Sequence, residues 1–283
     1  MAYLPEVVLY GNGENMILLN MNPLGPERAF IWDVIALVLT FVVIQTLVLL
    51  NGVLQKREIL PTYITRKVIH MFAAPLYVIC WMLFSGEPAS RYLAMVVPLA
   101  FIGQFAAIGL GLRKDEAFVN SMSRTGNPRE LLGGTMHYAI VMFVCTILFF
   151  ETAVPNTTPN PAALLILGAL AGGDGLADII GRRYGAGRTF GPAGSQKSVP
   201  GSIAMFVGAA GMSLILVALF SVNTNLSVGM VLLPTLLLSL LATIVEAFSP
   251  KGLDNYTIAL AVVVGIVILS LVGMWPFAPL FTL

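Results

Sequence analysis

The chain has 283 residues, of which 58% are hydrophobic and only 10% charged, with a formal net charge of +1. Soluble domains carry roughly 25% charged residues, so this composition cannot cover a water-facing surface, and the mean hydropathy of +0.90 agrees. The near-zero charge balance leaves no field that would draw nucleic acid or an acidic partner protein.

In chain order, the first 29 residues contain Glu6, Glu14 and Glu27 but no basic residue before Arg28. A signal peptide needs a positive start and a transit peptide is Arg-rich and acid-poor, so residues 1–29 are expected to form a short extramembrane or interfacial segment. Residues 30–283 are expected to form a single transmembrane catalytic domain. Crossing the hydrocarbon core takes about 20 apolar residues, and eight stretches qualify: about 30–51, 68–85, 91–112, 134–151, 161–181, 199–220, 226–247 and 256–279. The expected fold class is therefore all-α, a polytopic transmembrane helical bundle of about eight spans. Cys80 and Cys145 lie inside apolar runs and read as small packed hydrophobes.

The basic residues orient the bundle. Loops 1–2, 3–4, 5–6 and 7–8 hold 13 of the 15 Lys and Arg residues, and only Arg28 and Arg91 fall on the other side. By the positive-inside rule those four loops face the cytoplasm and both termini face away. The membrane is expected to be a bacterial inner membrane or an organelle membrane.

Along that face the chemistry-bearing residues appear in sequence. Arg66-Lys67-Val68-Ile69-His70 opens span two, with Arg66 and His70 at i,i+4. Arg129-Glu130 precedes span four, whose first turns carry His137 and Tyr138; either histidine also reads as an interhelical hydrogen-bonder. Span five ends in Gly172-Gly173-Asp174-Gly175-Leu176-Ala177-Asp178-Ile179-Ile180-Gly181-Arg182-Arg183. Asp174 and Asp178, four apart, project from one helix face, and at 1.5 Å per residue Asp174 lies about 12 Å before Arg182. An acid at such depth is costly and usually functional. Two carboxylates on one face suit Mg²⁺, a hard ion that takes oxygen ligands and substrate phosphate. The plainer reading pairs Asp178 with Arg182 at i,i+4.

The loop from Arg182 to Ser202 holds five glycines, three Arg and one Lys, a composition in which backbone N–H groups and basic side chains can approach phosphate. Lys197, Ser198, Gly201 and Ser202 lead into span six, whose N-terminus is an anion site. Gly191 to Ser198 differs from a Walker A loop by Gln196 in place of the final glycine, and no strand precedes it. Glu246 closes span seven among apolar neighbours, and Asp254-Asn255 opens span eight, where either residue also reads as a helix N-cap.

The string GGDGLADIIGRRYG followed by KSVPGSIAMF resembles the phytol, farnesol and dolichol kinase family of membrane enzymes. Arg66-Lys67-Val68-Ile69-His70, Arg129 to Gly133, Glu246 and Asp254-Asn255 match further motifs of that family, and the resemblance covers roughly residues 62–275. It implies a lipid kinase that phosphorylates an isoprenoid alcohol of the phytol, farnesol, geranylgeraniol or dolichol type within the bilayer, with CTP as donor and Mg²⁺ as cofactor. Under this reading Asp174 and Asp178 are catalytic. Arg182, Arg183, Lys197, Ser198, Gly201 and Ser202 bind nucleotide, and Asp174, Asp178, Glu246 and Asp254 are metal ligands. Arg66, Lys67, His70 and Asn255 are further candidates. The partners are then the alcohol, the nucleotide and membrane lipids, with no nucleic acid. Two other readings compete: a phosphatidate cytidylyltransferase, whose longer signature is missing here, and a secondary transporter, which would show repeats and midplane charges.

Overall fold

The computed structural model describes residues 22–280 apart from 60, 188, 192–195, 223, 251 and 279. The N-terminal segment through residue 21, Arg188, Pro192 to Ser195 and Lys251 therefore lie outside the described residues. Among those described, the chain is mostly helical, and eight helices are long and apolar enough to cross a membrane. No strand occurs among them beyond one isolated antiparallel bridge between Phe190 and Lys197.

The first span is α1 (Ala29–Lys56), entered through a 3-10 turn at Pro26–Arg28. The second is α2 (Thr62–Cys80). It starts earlier than the apolar run suggests, so Arg66, Lys67 and His70 sit within the helix. The third span breaks into α3 (Pro88–Ala94) and α4 (Val96–Gly109). Pro98 explains the break, because its ring displaces the carbonyl four residues back, that of Ala94. A short amphipathic helix, α5 (Glu116–Met122), lies in the following loop, capped by Asp115 accepting from the Phe118 N–H.

The fourth span is α6 (Gly134–Phe149) behind a 3-10 segment at Pro128–Leu132. Span five runs from α7 (Ala162–Gly168) through a π-helical turn at Ala169–Asp174 into α8 (Gly175–Tyr184). The last three spans are α9 (Val199–Phe220), α10 (Val228–Phe248) and α11 (Asp254–Leu271). Span eight ends near residue 271, not 279. Gly273 turns the chain with φ of 72°, and Pro276 follows, so neither residue continues a helix.

Span five is the hub. Its α7 and π-helical turn are almost wholly buried, while the outer faces of α1, α9 and α10 expose Val, Leu and Ile, as expected for helices turned to lipid. The hub packs tightly against α9 through glycine. A Cβ on Gly172 would collide with the Gly208 carbonyl and Met212, and one on Gly208 with the Gly172 carbonyl. Small residues permit such close backbone passage in membranes, and dispersion across it fixes α8 and α9 in register. Far from the basic loops, the buried Asp33 is satisfied by the Ser85 N–H (2.7 Å) and by the hydroxyls of Ser85 (2.9 Å) and Ser90 (2.6 Å).

Candidate active site

Where α2, α6, α8, α9, α10 and α11 meet at the basic-loop end, a cavity of about 910 Å³ opens. Its mouth is charged: Arg66, Lys67, Arg124, Arg182 and Lys197 face Glu130, Asp174, Asp178, Glu246 and Asp254. Its inner wall is apolar, formed by Ile44 and Val48 of α1, Ile69 and Ala73 of α2, Val97, Phe101 and Phe105 of α4, and Ala139 and Met142 of α6. Phe105 to Val97 is eight residues of helix, so this arm reaches about 12 Å beyond the charged end. One space thus joins a polar head to a greasy tail.

The two aspartates converge as their spacing predicts. Lys67 Nζ lies 3.0 Å from Asp174 Oδ2 and 3.6 Å from Asp178 Oδ2, with only 8% of its side chain exposed. Asp178 also takes the Arg182 Nε–H at 2.8 Å, so the i,i+4 pair is present, but as one edge of a wider network. Asp174 belongs to a π-helical turn, a feature common at functional sites because the extra residue re-aims side chains. His70 Nε2 stands 3.1 Å from Asp174 Oδ2. Its ring stacks on Tyr138 at 4.2 Å between centroids, and the Tyr138 hydroxyl donates to the His70 carbonyl at 2.9 Å. His70 therefore sits where the polar head meets the apolar arm.

On the other side, Lys197 pairs with the buried Glu246. Burial works against the Lys197 ammonium, but the Glu246 carboxylate outweighs it, and the Lys197 pKa lies above the ordinary lysine value. The loop that carries Lys197 is pinned by reciprocal 2.8 Å backbone bonds between Phe190 and Lys197. A 2.7 Å bond from the Thr189 hydroxyl to Gln196 adds to it. Ser198 caps α9, its Oγ accepting from the Gly201 N–H at 3.3 Å. A Cβ on Gly201 would press on the Ala177 carbonyl at 3.1 Å and Gly181 Cα at 3.3 Å, so this glycine serves helix packing as well as the cavity wall. The Ser202 hydroxyl is buried, lines the cavity and has no partner among the described residues. A buried polar group without a partner costs about 1–3 kcal/mol, which a ligand would relieve.

Asp254 is the carboxylate with spare capacity. Its Oδ1 accepts the Asn255 N–H at 3.1 Å, and it has no ion-pair partner among the described residues. Neither it nor Asn255 caps α11: Leu253 holds that position without a side-chain cap, and the Asn255 amide donates to the Gly134 carbonyl at 3.0 Å. Among the described residues no three His, Cys, Asp or Glu side chains close into a metal cage. Mg²⁺ seldom uses such a cage; one or two carboxylates, waters and substrate phosphates are its usual shell. Asp174 and Asp254 both line the cavity and fit that requirement, Asp174 through Oδ1, since its contacts with Lys67 and His70 both fall on Oδ2. Glu246 is paired with Lys197, and Asp178 spends Oδ2 on Lys67 and Oδ1 on Arg182.

Nearly all the sequence candidates line this space. Arg183 does not; it is exposed, with its guanidinium 5.5 Å from the Tyr184 ring centre. His137 is likewise outside the cavity lining, its Nδ1 2.8 Å from the Gly252 carbonyl. The structure adds Arg124, Thr125, Thr189 and Gln196 to the polar mouth.

Comparison with known proteins gives this geometry a context. The chain is 34% identical over 212 residues to the probable phytol kinase of Zea mays, covering 74% of this chain and 67% of that protein. The chain belongs to the phytol and farnesol kinase family. Probable phytol kinase 1 of Oryza sativa is also 34% identical over 212 residues, with 74% of this chain and 65% of the relative covered. Farnesol kinase of Arabidopsis thaliana is 33% identical over 180 residues, or 64% and 56%. The chain spans about two thirds of the length of these phytol kinases, all of which, like the farnesol kinase, are described as chloroplastic. No protein-family model and no solved structure matches the chain.

Proposed function

We propose that this protein is a prenyl-alcohol kinase that transfers the γ-phosphate of a nucleoside triphosphate, CTP by the family resemblance, to an isoprenoid alcohol held in the bilayer. The observation that carries this reading is the single cavity with a charged mouth and an apolar arm. A lipid alcohol laid along that arm brings its hydroxyl to His70 and Asp174, while the nucleotide enters from the basic-loop face. The positive-inside distribution supports assigning that face to the cytoplasm, with both termini opposite, and residues 30–283 are read as one catalytic domain. The names of the phytol and farnesol kinases point to the same class of acceptor.

The charge balance favours a divalent cofactor. Five cationic side chains and five carboxylates line the cavity, so a triphosphate would enter a site of no net charge. Asp174 and Asp254 would hold Mg²⁺, which when bound would neutralise the phosphates and the charge that develops on them. The rest falls to the chain itself. Lys67 bridges Asp174 and Asp178 and holds them in place. Arg182, Lys197, Ser198 and Ser202 grip the phosphate chain. His70, steered by Asp174, takes the proton as the alcohol oxygen bonds to the γ-phosphorus; the bridging bond to the β-phosphate breaks and the nucleoside diphosphate departs. Closing the tail arm around the alcohol excludes water and suppresses hydrolysis.

The test uses purified protein in detergent, CTP labelled at either the α- or the γ-phosphate, and a panel of phytol, farnesol, geranylgeraniol and dolichol. Label from the γ position in the lipid phosphate is expected. Label from the α position would instead identify CDP-lipid synthesis and overturn the kinase reading. Activity should vanish on chelation and return with Mg²⁺.

A further inference from the structure

Arg124 stands on the turn after α5, exposed at the rim of the cavity. That turn is organised by one carboxylate. Glu130 accepts from the Ser123 hydroxyl at 3.0 Å, the Arg124 N–H at 2.5 Å and the Thr125 hydroxyl at 2.7 Å, and Asn127 accepts from the Arg129 N–H at 3.0 Å. A carboxylate holding three donors of one short turn fixes the direction of the side chain that turn presents, and here that side chain is a guanidinium.

Arg66 on α2 is its neighbour. Arg66, Arg124 and Arg182 come from three separate segments and line the same cavity mouth, and Arg66, partly buried, lies within electrostatic reach of the other two. Arg182 is neutralised by Asp178. Arg66 and Arg124 have no ion-pair partner among the described residues. Like charges held together on folded elements repel each other unless an anion sits between them, and paired guanidiniums match the oxygens of a phosphate chain. Lys67 and Lys197, the other two cations of the mouth, are already matched by Asp174 and Asp178 and by Glu246.

We propose that Arg124 and Arg66 form a two-guanidinium clamp on the phosphate chain of the nucleotide, and that Glu130 is a positioning residue that acts through Arg124. This rests on the kinase reading and names the group that receives the donor's phosphates. An anionic lipid headgroup offers the same phosphate chemistry, so the experiment separates the two sources.

Steady-state kinetics are compared for wild type, Arg124→Ala, Glu130→Gln and the double variant, in lipid-free detergent and in nanodiscs with and without anionic lipid. Arg124→Ala is expected to raise the nucleotide KM at least tenfold while the alcohol KM stays within twofold, in either medium. Glu130→Gln should raise the nucleotide KM too, and add nothing in the Arg124→Ala background, since residues that act as a unit are non-additive. An unchanged nucleotide KM in Arg124→Ala overturns the clamp. So does an effect seen only with anionic lipid, which would make Arg124 a headgroup contact. A further loss from Glu130→Gln in the double variant overturns the positioning role. Protection from thermal unfolding by inorganic tripolyphosphate gives a readout free of turnover. If wild type is protected and Arg124→Ala is not, while neither phosphorylates a prenol, the clamp stands and the kinase reading falls.

Discussion

Lys67 provides the sharpest test of the charged network, because one ammonium serves two carboxylates. At 3.0 and 3.6 Å, and with an effective dielectric of about 20, each attraction amounts to roughly 5 kcal/mol before desolvation is counted. Desolvation offsets much of that, and removing one partner of a buried pair costs about 3–5 kcal/mol net, because the other charge stays behind. Lys67→Met leaves Asp174 facing Asp178 with Arg182 on only one of them. The thermal midpoint in detergent should therefore fall by about 10 °C for a chain of this size. Asp174→Asn removes the stranded charge, so the double variant should recover part of the loss. A double-mutant cycle read by thermal or denaturant unfolding should give a coupling of about 2 kcal/mol or more. Coupling below about 0.5 kcal/mol, the level of independent sites, would refute the bridging role.

Three other outcomes follow from separate parts of the structure. Ser202→Ala should stabilise the ligand-free protein by about 1 kcal/mol or more, because it removes a buried hydroxyl without a partner among the described residues, yet raise the nucleotide KM about tenfold, the worth of one hydrogen bond to a charged group; unfolding and kinetics on one preparation check both. Gly172→Val should cost about 3 kcal/mol by overpacking against Gly208 and Met212, and lower activity by parting spans five and six. A melting curve close to that of wild type would contradict it. Glu151, beyond the end of α6, has a pKa raised by burial. A raised carboxyl contributes stability below its unfolded pKa and loses it as pH rises through the folded value. Thermal midpoints of wild type should thus fall from acid toward neutral pH more steeply than those of Glu151→Gln.

Much of this was legible in the sequence, for identifiable reasons. Long apolar runs bounded by Pro, Asn and charge declare eight spans because lipid leaves the backbone few alternatives. Asp174 and Asp178 could be placed on one face because the α-helix resumes at Gly175, directly after the π-helical turn that ends at Asp174. That turn itself left no trace, since it is a choice of hydrogen-bond register. The Lys197–Glu246 pair joins α9's entry to the end of α10, and only the packing of spans brings the two together. The apolar arm was hidden for a different reason. Ile44, Val97, Phe101 and Met142 read like any residue of a membrane span, and nothing local separates a side chain facing a cavity from one facing lipid. Arg124 was counted only as a topology charge, since the Glu130 staple that aims it depends on a turn and not on periodicity. Of the two readings open for Asp254 and Asn255, the capping one fails, because Leu253 takes the cap position of α11 and both side chains line the cavity.

The central claim is that phosphoryl transfer to a lipid alcohol occurs at this cavity, around Asp174. The most direct measurement compares wild type and Asp174→Asn in transferring γ-label from CTP to phytol or farnesol, with folding verified by thermal unfolding of each preparation. The account predicts label in the lipid phosphate for wild type and a loss of about 10³-fold or more for the variant, the scale of removing a charge-positioning group at the reacting centre. A folded Asp174→Asn protein that transfers label at near wild-type rate would contradict it.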